Sequence, residues 1–302
     1  MKTRQRTESK KQVSILRLPE NFDNEIVGMS RTFAKAFTCN TDLQKWTIYQ
    51  QKIFFLILSN IDWKTGGNNN EVEIVISVAQ EKLGLDYNIK EKWVFSKRII
   101  QEIEEMMKNS FLSLQDPFTK KWTKDFLICH ADGDGYVIRV ELNKRFMTHF
   151  ERLYESAIMN GVNFIAFSEY DIYQMCSSFG VKMFIDLNNN SNHNGSINRR
   201  TYTTKQLKDL FGLPRDAYCR EYDYESDKVL NFDRTNFEKK VLNKALTLVN
   251  NTEAVDIIPY EDGKLYKKIK EGRRVKEYEV QFRVYNIDSM KKRREKQYNC
   301  VH

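Results

Sequence analysis

The sequence indicates the same order of secondary-structure elements twice, and this duplication constrains the fold more than any other feature. Two asparagine-rich loops, at 66–70 and 188–195, each lie between a helical segment and a strand. Each is followed by a short helix, a long amphipathic helix and further strands. The related tetrapeptides Lys-Leu-Gly-Leu at 82–85 and Leu-Phe-Gly-Leu at 210–213 end the two short helices. We interpret this pattern as an internal duplication.

In the first unit, Thr47 and Gln50 have the spacing of a capping box and predict the start of a helix. Gly84 suits the left-handed C-cap of the short helix, and Asp132–Gly135 is typical of a hairpin turn. The long helix carries an apolar face of Phe95, Ile99, Ile103 and Met106. The predicted elements are helix 47–61, strand 72–77, the short helix, the long helix 91–108 and strands 111–115, 122–129 and 136–142.

The second unit repeats this order. Its long helix, 233–250, has an apolar stripe that contains Phe237, Val241, Ala245, Leu248 and Val249. The predicted elements are helix 169–187, strand 200–202, a short helix from Thr203, the long helix and strands 254–260 and 274–285.

Helix, strand, two helices and a two-stranded hairpin form the element order of a winged helix. In that fold the second helix of a helix-turn-helix enters the major groove of DNA, and the wing contacts the flanking backbone. We therefore predict an α+β fold of tandem winged-helix domains. The expected boundaries are a basic arm and lead-in at 1–40, domain 1 at 41–155, domain 2 at 156–286 and a basic tail at 287–302.

Positive charge is concentrated at the end of the chain. The net charge is +8, and residues 264–302 hold 13 lysines and arginines against five acids, so this segment accounts for the whole excess. Residues 1–20 add six bases and two acids. Segregated positive charge favours a polyanionic partner, although basic tails that only solubilise the protein would look the same.

The outward face of the second long helix predicts a base-reading surface. At about 100° per residue, its amides, amines and hydroxyl project opposite the apolar stripe. Asparagine can pair bidentately with adenine, and lysine reaches guanine or phosphate. The predicted contacts are Asn236, Lys239, Lys240, Asn243 and Thr247. An ordinary solvated helix face is the alternative.

The hairpin tip at 263–276 contains seven bases and one acid in 14 residues, which suits contact with phosphates. Its candidate residues are Lys264, Lys267, Lys268, Lys270, Arg273, Arg274 and Lys276. Domain 1 offers a weaker set at the start of its long helix, because Glu102, Glu104 and Glu105 follow and would repel phosphate. This weaker set is Lys90, Lys92, Lys97, Arg98 and Gln101.

Nothing in the sequence indicates catalysis. There is no nucleotide-binding GxxxxGK[ST], HExxH or GxSxG motif, and the four histidines are scattered. The five cysteines lie far apart without metal spacing, so we expect no catalytic residue, metal, cofactor or disulfide framework. No apolar run is long enough for a membrane helix. A reducing bacterial cytoplasm is the expected compartment.

Three segments resemble the two-winged-helix initiators of theta-type plasmid replication, the Rep proteins that bind iterons. Residues 47–61 resemble their opening helix, residues 202–213 the second-domain helix, and residues 236–246 the recognition helix. A basic turn at 272–275 and a closing strand at 280–284 follow. The similarity covers about 42–285 and consists of apolar and basic positions.

This resemblance implies binding of double-stranded DNA at directly repeated origin sites. It further implies dimerisation through domain 1, repression of the protein's own promoter, and recruitment of host initiator and helicase without nucleotide hydrolysis. Two alternatives stay open: a winged-helix transcriptional repressor without a replication role, and a winged-helix adaptor that binds protein.

Overall fold

The computed structural model describes residues 26–61, 70–87, 92–116, 119–150, 164–226 and 228–293. Its helices and strands form two winged-helix units, preceded by a strand and a helix. Both units share one hydrophobic core, in which aromatic rings such as Phe54, Phe167 and Phe184 are fully buried. No helix within these ranges is both long and apolar enough to cross a membrane.

The first unit has the predicted winged-helix order. The capping box of Thr47 and Gln50 is confirmed, and the apolar face that begins at Phe95 is fully buried. The elements are α2 (Ile48–Ser59), β2 (Glu71–Val75), α3 (Ile76–Tyr87), α4 (Lys92–Lys108), β3 (Phe111–Gln115), β4 (Trp122–Phe126), β5 (Ile128–Gly133) and β6 (Val137–Leu142). Strand β6 pairs with β2 on one side and with β5 on the other, and β3 pairs separately with β4.

The second unit repeats the order. Its helix α8 runs through Arg234–Phe237, a π-helical segment Glu238–Leu242 and Asn243–Val249. The other elements are β7 (Phe164–Ser168), α5 (Glu169–Tyr173), α6 (Ser178–Asn189), β8 (Asn198–Thr203), α7 (Thr204–Phe211), β9 (Cys219–Asp223), β10 (Lys228–Phe232), β11 (Val255–Ile257), β12 (Lys267–Glu271) and β13 (Arg274–Val284). Strand β13 is central: one of its edges pairs with β8, and the other edge pairs with β12 near its start and with β11 near its end.

Each unit also contains a hairpin that the sequence did not reveal. The expected strand 122–129 is two strands: β4 pairs back onto β3, and β5 pairs with β6. In the second unit β9 and β10 separate α7 from α8. The sequence of β9, Cys-Arg-Glu-Tyr-Asp, has no apolar face, so hydrophobic alternation could not detect it.

Three further expectations were wrong. Gly84 does not end the short helix, because α3 continues to Tyr87. The expected helix 169–187 is two helices, because the Ser177 side chain accepts a hydrogen bond from the Phe179 amide and starts α6 anew. The start of the expected basic tail is helical at 287–293, where Met290 is buried.

A strand and a helix that precede the first unit connect it to the second. Strand β1 (Ile26–Ser30) pairs antiparallel with β7, and α1 (Arg31–Cys39) follows directly. Helix α1 packs against α6 and α7. Residues 26–39 therefore belong to the folded core. The expected boundary at 155/156 lies in 151–163, outside the described residues.

Polar contacts stabilise this junction between the two units. The Lys182 ammonium donates to the carbonyls of Gln44 and Phe211, both at 3.2 Å. Arg31 donates to the carbonyls of Asn189 and Ser191. These cations donate across the junction, so the carbonyls that they reach have hydrogen-bond partners.

Ser30 and His149 form another of these contacts, and it is sensitive to pH. The Ser30 hydroxyl caps α1 and lies 2.7 Å from His149 Nδ1. Burial lowers the pKa of His149 from 6.5 to about 4. A lowered histidine pKa means that the unfolded chain binds more protons between these values, so stability falls as the pH falls from 6.5 towards 4.

We predict that His149→Phe, which keeps an aromatic ring among Phe33 and Phe146, lowers the free energy of unfolding at pH 7.5 by removing the hydrogen bond. Between pH 6.5 and 4, the free energy of unfolding of the wild type should fall by up to ~3 kcal/mol relative to that of the variant. Denaturant unfolding across this range measures it. His130→Gln, at a side chain 63% exposed, is the control. Parallel wild-type and His149→Phe curves would contradict the prediction.

Candidate DNA interface

Helix α8 begins at a polar cap that also orients one candidate contact residue. The Asp233 carboxylate accepts hydrogen bonds from the backbone amide of Asn236 at 3.2 Å and from its side-chain amide at 2.8 Å. Hydrogen bonding from Asn236 lowers the pKa of Asp233. The Asn236 side chain is therefore held in one orientation at the start of the helix.

The structure places the candidate residues of α8 on one outer face. Phe237, Val241 and Ala245 are fully buried, and α8 packs against α6. On the opposite side Asn236 is half-buried, and the rest of the predicted set is exposed: Lys239, Lys240, Asn243 and Thr247. The arrangement can present amides and ammonium groups to a groove of DNA. These contacts with DNA stay predictions.

Two residues of α8 were missed. Lys244 is exposed one helical turn after Lys240, and inspection of the helical wheel could have found it. Glu238 is buried, with 8% exposure, although it lies beside the exposed Lys239. The π-helical segment 238–242 contains Glu238 and Lys239. No sequence signal predicted this segment, and such insertions often occur at functional sites.

The wing carries its charge on strands as well as on a turn. The sequence suggested that 263–276 is a hairpin tip, but β12 begins at Lys267 and its turn is Gly272-Arg273, with Gly272 at a φ of +59°. Four of the seven candidate cations are exposed, and no salt bridge to them is found in the described residues: Lys267, Lys270, Arg273 and Arg274.

The other three wing cations have acidic partners within the protein. Lys264 lies 2.5 Å from Asp262, and Lys276 lies 3.4 Å from Glu271. Both pairs are solvent-exposed, so they are weak and can open. Lys268 differs, because its ammonium lies 2.6 Å from the buried carboxylate of Glu238. Lys268 is thus engaged with the helix rather than directed to solvent.

Glu238 joins the helix to the wing. Its two carboxylate oxygens accept hydrogen bonds from the hydroxyls of Tyr266 and Tyr278, each at 3.2 Å. Burial, followed by the charge of Glu238, raises the pKa of both tyrosines. These groups stay neutral hydrogen-bond donors at physiological pH.

Domain 1 presents a different surface. Lys90 lies outside the described residues, and only the backbone of Lys92 is described. Lys97 and Gln101 are exposed on α4, but Arg98 lies 2.6 Å from Glu102.

The wing of domain 1 is acidic where that of domain 2 is basic. The predicted turn between β5 and β6 is confirmed, because Asp134 accepts hydrogen bonds from the amides of Tyr136 and Val137. Asp132 lies on the same hairpin. Carboxylates on this wing and on the later turns of α4 oppose phosphate contact, so the cationic surface suited to DNA belongs mainly to domain 2.

Comparison with solved structures identifies this architecture. Among 21 matching chains is the Pi initiator protein in complex with iteron DNA, at 15% sequence identity and a TM-score of 0.55. The match covers 87% of this chain and 98% of that one. Domains 2 and 3 of RctB are more distant, with 10% identity, a TM-score of 0.40 and coverage of 78% and 82%. No curated protein sequence matches.

The tandem winged-helix fold is thus confirmed. A family model described as "Initiator Replication protein, WH1" matches residues 32–170. The matched region begins in α1 and spans the first winged helix. By this match, residues 32–170 are similar to the first winged-helix domain of replication initiator proteins.

Proposed function

We propose that this protein initiates plasmid replication by binding directly repeated duplex sites, or iterons, at an origin. The observation that carries the proposal is the outer face of α8, where the predicted base-reading residues lie together beside a basic wing. The amides and ammonium groups of α8 suit contact with base edges, and the arginines and lysines of the wing suit contact with phosphates.

Domain 2 would supply most of the specificity. Asn236 and Asn243 would read base edges, Lys239 and Lys240 would reach guanine or phosphate, and the wing would bind the backbone. Domain 1 would make a secondary DNA contact through Lys97 and Gln101, and support dimerisation. Two winged helices on one face of a duplex would cover roughly 20 bp.

Initiation would follow from binding and bending, without catalysis by this chain. A bent duplex could supply part of the energy that opens an adjacent AT-rich segment. Recruitment of a host initiator and a replicative helicase, repression of the protein's own promoter, and a location in the bacterial cytoplasm belong to the same proposal.

The first experiment selects bound sequences from randomised duplex oligonucleotides at about 150 mM salt. Enrichment of one motif of roughly 20 bp is expected, and direct repeats of it should lie beside the gene. A lone inverted repeat would favour a repressor instead. Retention of every sequence, or of none, would overturn the proposal and favour a protein-binding adaptor.

We predict that Lys239→Glu with Lys240→Glu weakens binding to the selected motif by at least about 100-fold, because two attractive charges become repulsive beside phosphate. Fluorescence anisotropy at several salt concentrations measures the loss. The control is Lys35→Glu with Lys144→Glu, which reverses two exposed lysines on other elements. Equal losses in both double variants would mean that only net charge matters.

We predict that Arg273→Ala with Arg274→Ala weakens binding to the selected motif and to random duplexes to a similar extent. It should also reduce the slope of log K against log salt by about 2. Asn243→Ala should instead weaken binding to the selected motif and leave the affinity for random duplexes almost unchanged, because an amide can recognise a base edge but has no charge. The same salt titration on both duplexes separates the two effects. A sequence-dependent loss in the arginine variant would contradict the assignment of the wing to phosphate.

A further inference from the structure

We propose that Glu238 is a positioning residue for DNA readout, which holds the wing and the recognition helix α8 as one rigid surface and orients Asn243. This inference rests on the proposed function and assigns to a buried acid a part in it. Glu238 would touch no DNA itself.

The first argument is the number and origin of its contacts. Glu238 lies on α8, whereas Lys268 lies on β12 and Tyr278 on the central strand β13. Tyr266 precedes β12 and packs edge-on against Tyr278, with ring centroids 5.6 Å apart. One carboxylate therefore connects the helix with both strands of the wing. Three donors converge on its two oxygens and fix the position of the carboxylate.

The second argument is that the network reaches a predicted base contact. The Tyr266 hydroxyl, which donates to Glu238, also interacts with the side chain of Asn243. Asn236 has its own anchor in Asp233. Both predicted base-reading amides thus lie beside neighbouring protein groups. Restraining such amides before binding lowers the entropy lost when DNA binds.

The third argument is electrostatic. A carboxylate on a helix that faces a polyanion weakens binding to every duplex, whatever its sequence. Here the charge is buried and paired with Lys268. A buried pair is weak evidence of added stability, but it can enforce one arrangement of the groups around it. Removal of the charge therefore distinguishes a general electrostatic role of Glu238 from a positioning role. Attraction to every duplex should rise, while the positioning of the DNA-reading groups is lost.

The test is Glu238→Gln in the full chain, with affinity measured for the selected motif and for a random duplex. Glutamine keeps the size of the side chain and removes the charge that holds Lys268. We expect the ratio of specific to random affinity to fall about tenfold, within the range of one bidentate base contact, while random binding stays equal or rises. Tyr266→Phe should reproduce part of this loss.

Glu271→Gln is the matched control. It removes one acid from the same wing, where Glu271 is 76% exposed and paired with Lys276. It should strengthen binding to both duplexes slightly and leave their ratio unchanged. If Glu238→Gln behaves like Glu271→Gln, the positioning role is overturned.

Hydrogen exchange without DNA tests the coupling itself. Amides of β12 should exchange faster in Glu238→Gln than in the wild type, while those of β1 and β7 stay protected, which also shows that the variant folds. Unchanged exchange in β12 would overturn the proposal even if wild-type binding were specific. Failure of the proposed function would show separately, as the absence of a selected motif for the wild type.

Discussion

Antiparallel pairing of β1 with β7 joins residues 26–30 to residues 164–168, and the arrangement of the two winged helices depends on this contact. It holds α1 against α6 and α7, so the two units share one core instead of being joined only by a linker. Val27, Met29 and Phe33 are fully buried there. Burial of each such side chain contributes roughly 1.5–3 kcal/mol. Ser30, Lys182 and Arg31 then satisfy the polar groups that the junction buries.

The two units use one architecture for different electrostatic roles. In domain 2 the wing and the outer face of α8 are cationic, and the acid of α8, Glu238, is buried and paired. In domain 1 the corresponding turn carries Asp134, and α4 continues into a run of glutamates. The fold places a helix and a wing beside each other in both units. The residues at the tips decide which unit suits a polyanion.

Sequence patterns succeeded where local forces dominate. The capping box at Thr47, the apolar stripe of α8 and the turn at Asp134 depend on residues within a few positions of one another, and all three are present. The patterns failed where distant pairing decides. Strand β12 is almost wholly polar and exists because β13 supplies its hydrogen-bond partners. Gly84 remains helical although Gly212, in a similar tetrapeptide, adopts a left-handed cap.

By itself, the sequence determined the duplicated winged-helix order, the concentration of positive charge and the residues of the outer face of α8, because these follow from periodicity and composition. The resemblance to replication initiators pointed to the family, and the match to domain 1 agrees with it. Only the tertiary structure decided that Lys268 faces Glu238, that 26–39 belong to the core, and that β9 and β10 precede α8. The first two outcomes depend on contacts between segments remote in sequence, which short-range patterns do not encode. The β9–β10 hairpin is local, but β9 has no apolar face that a pattern could detect.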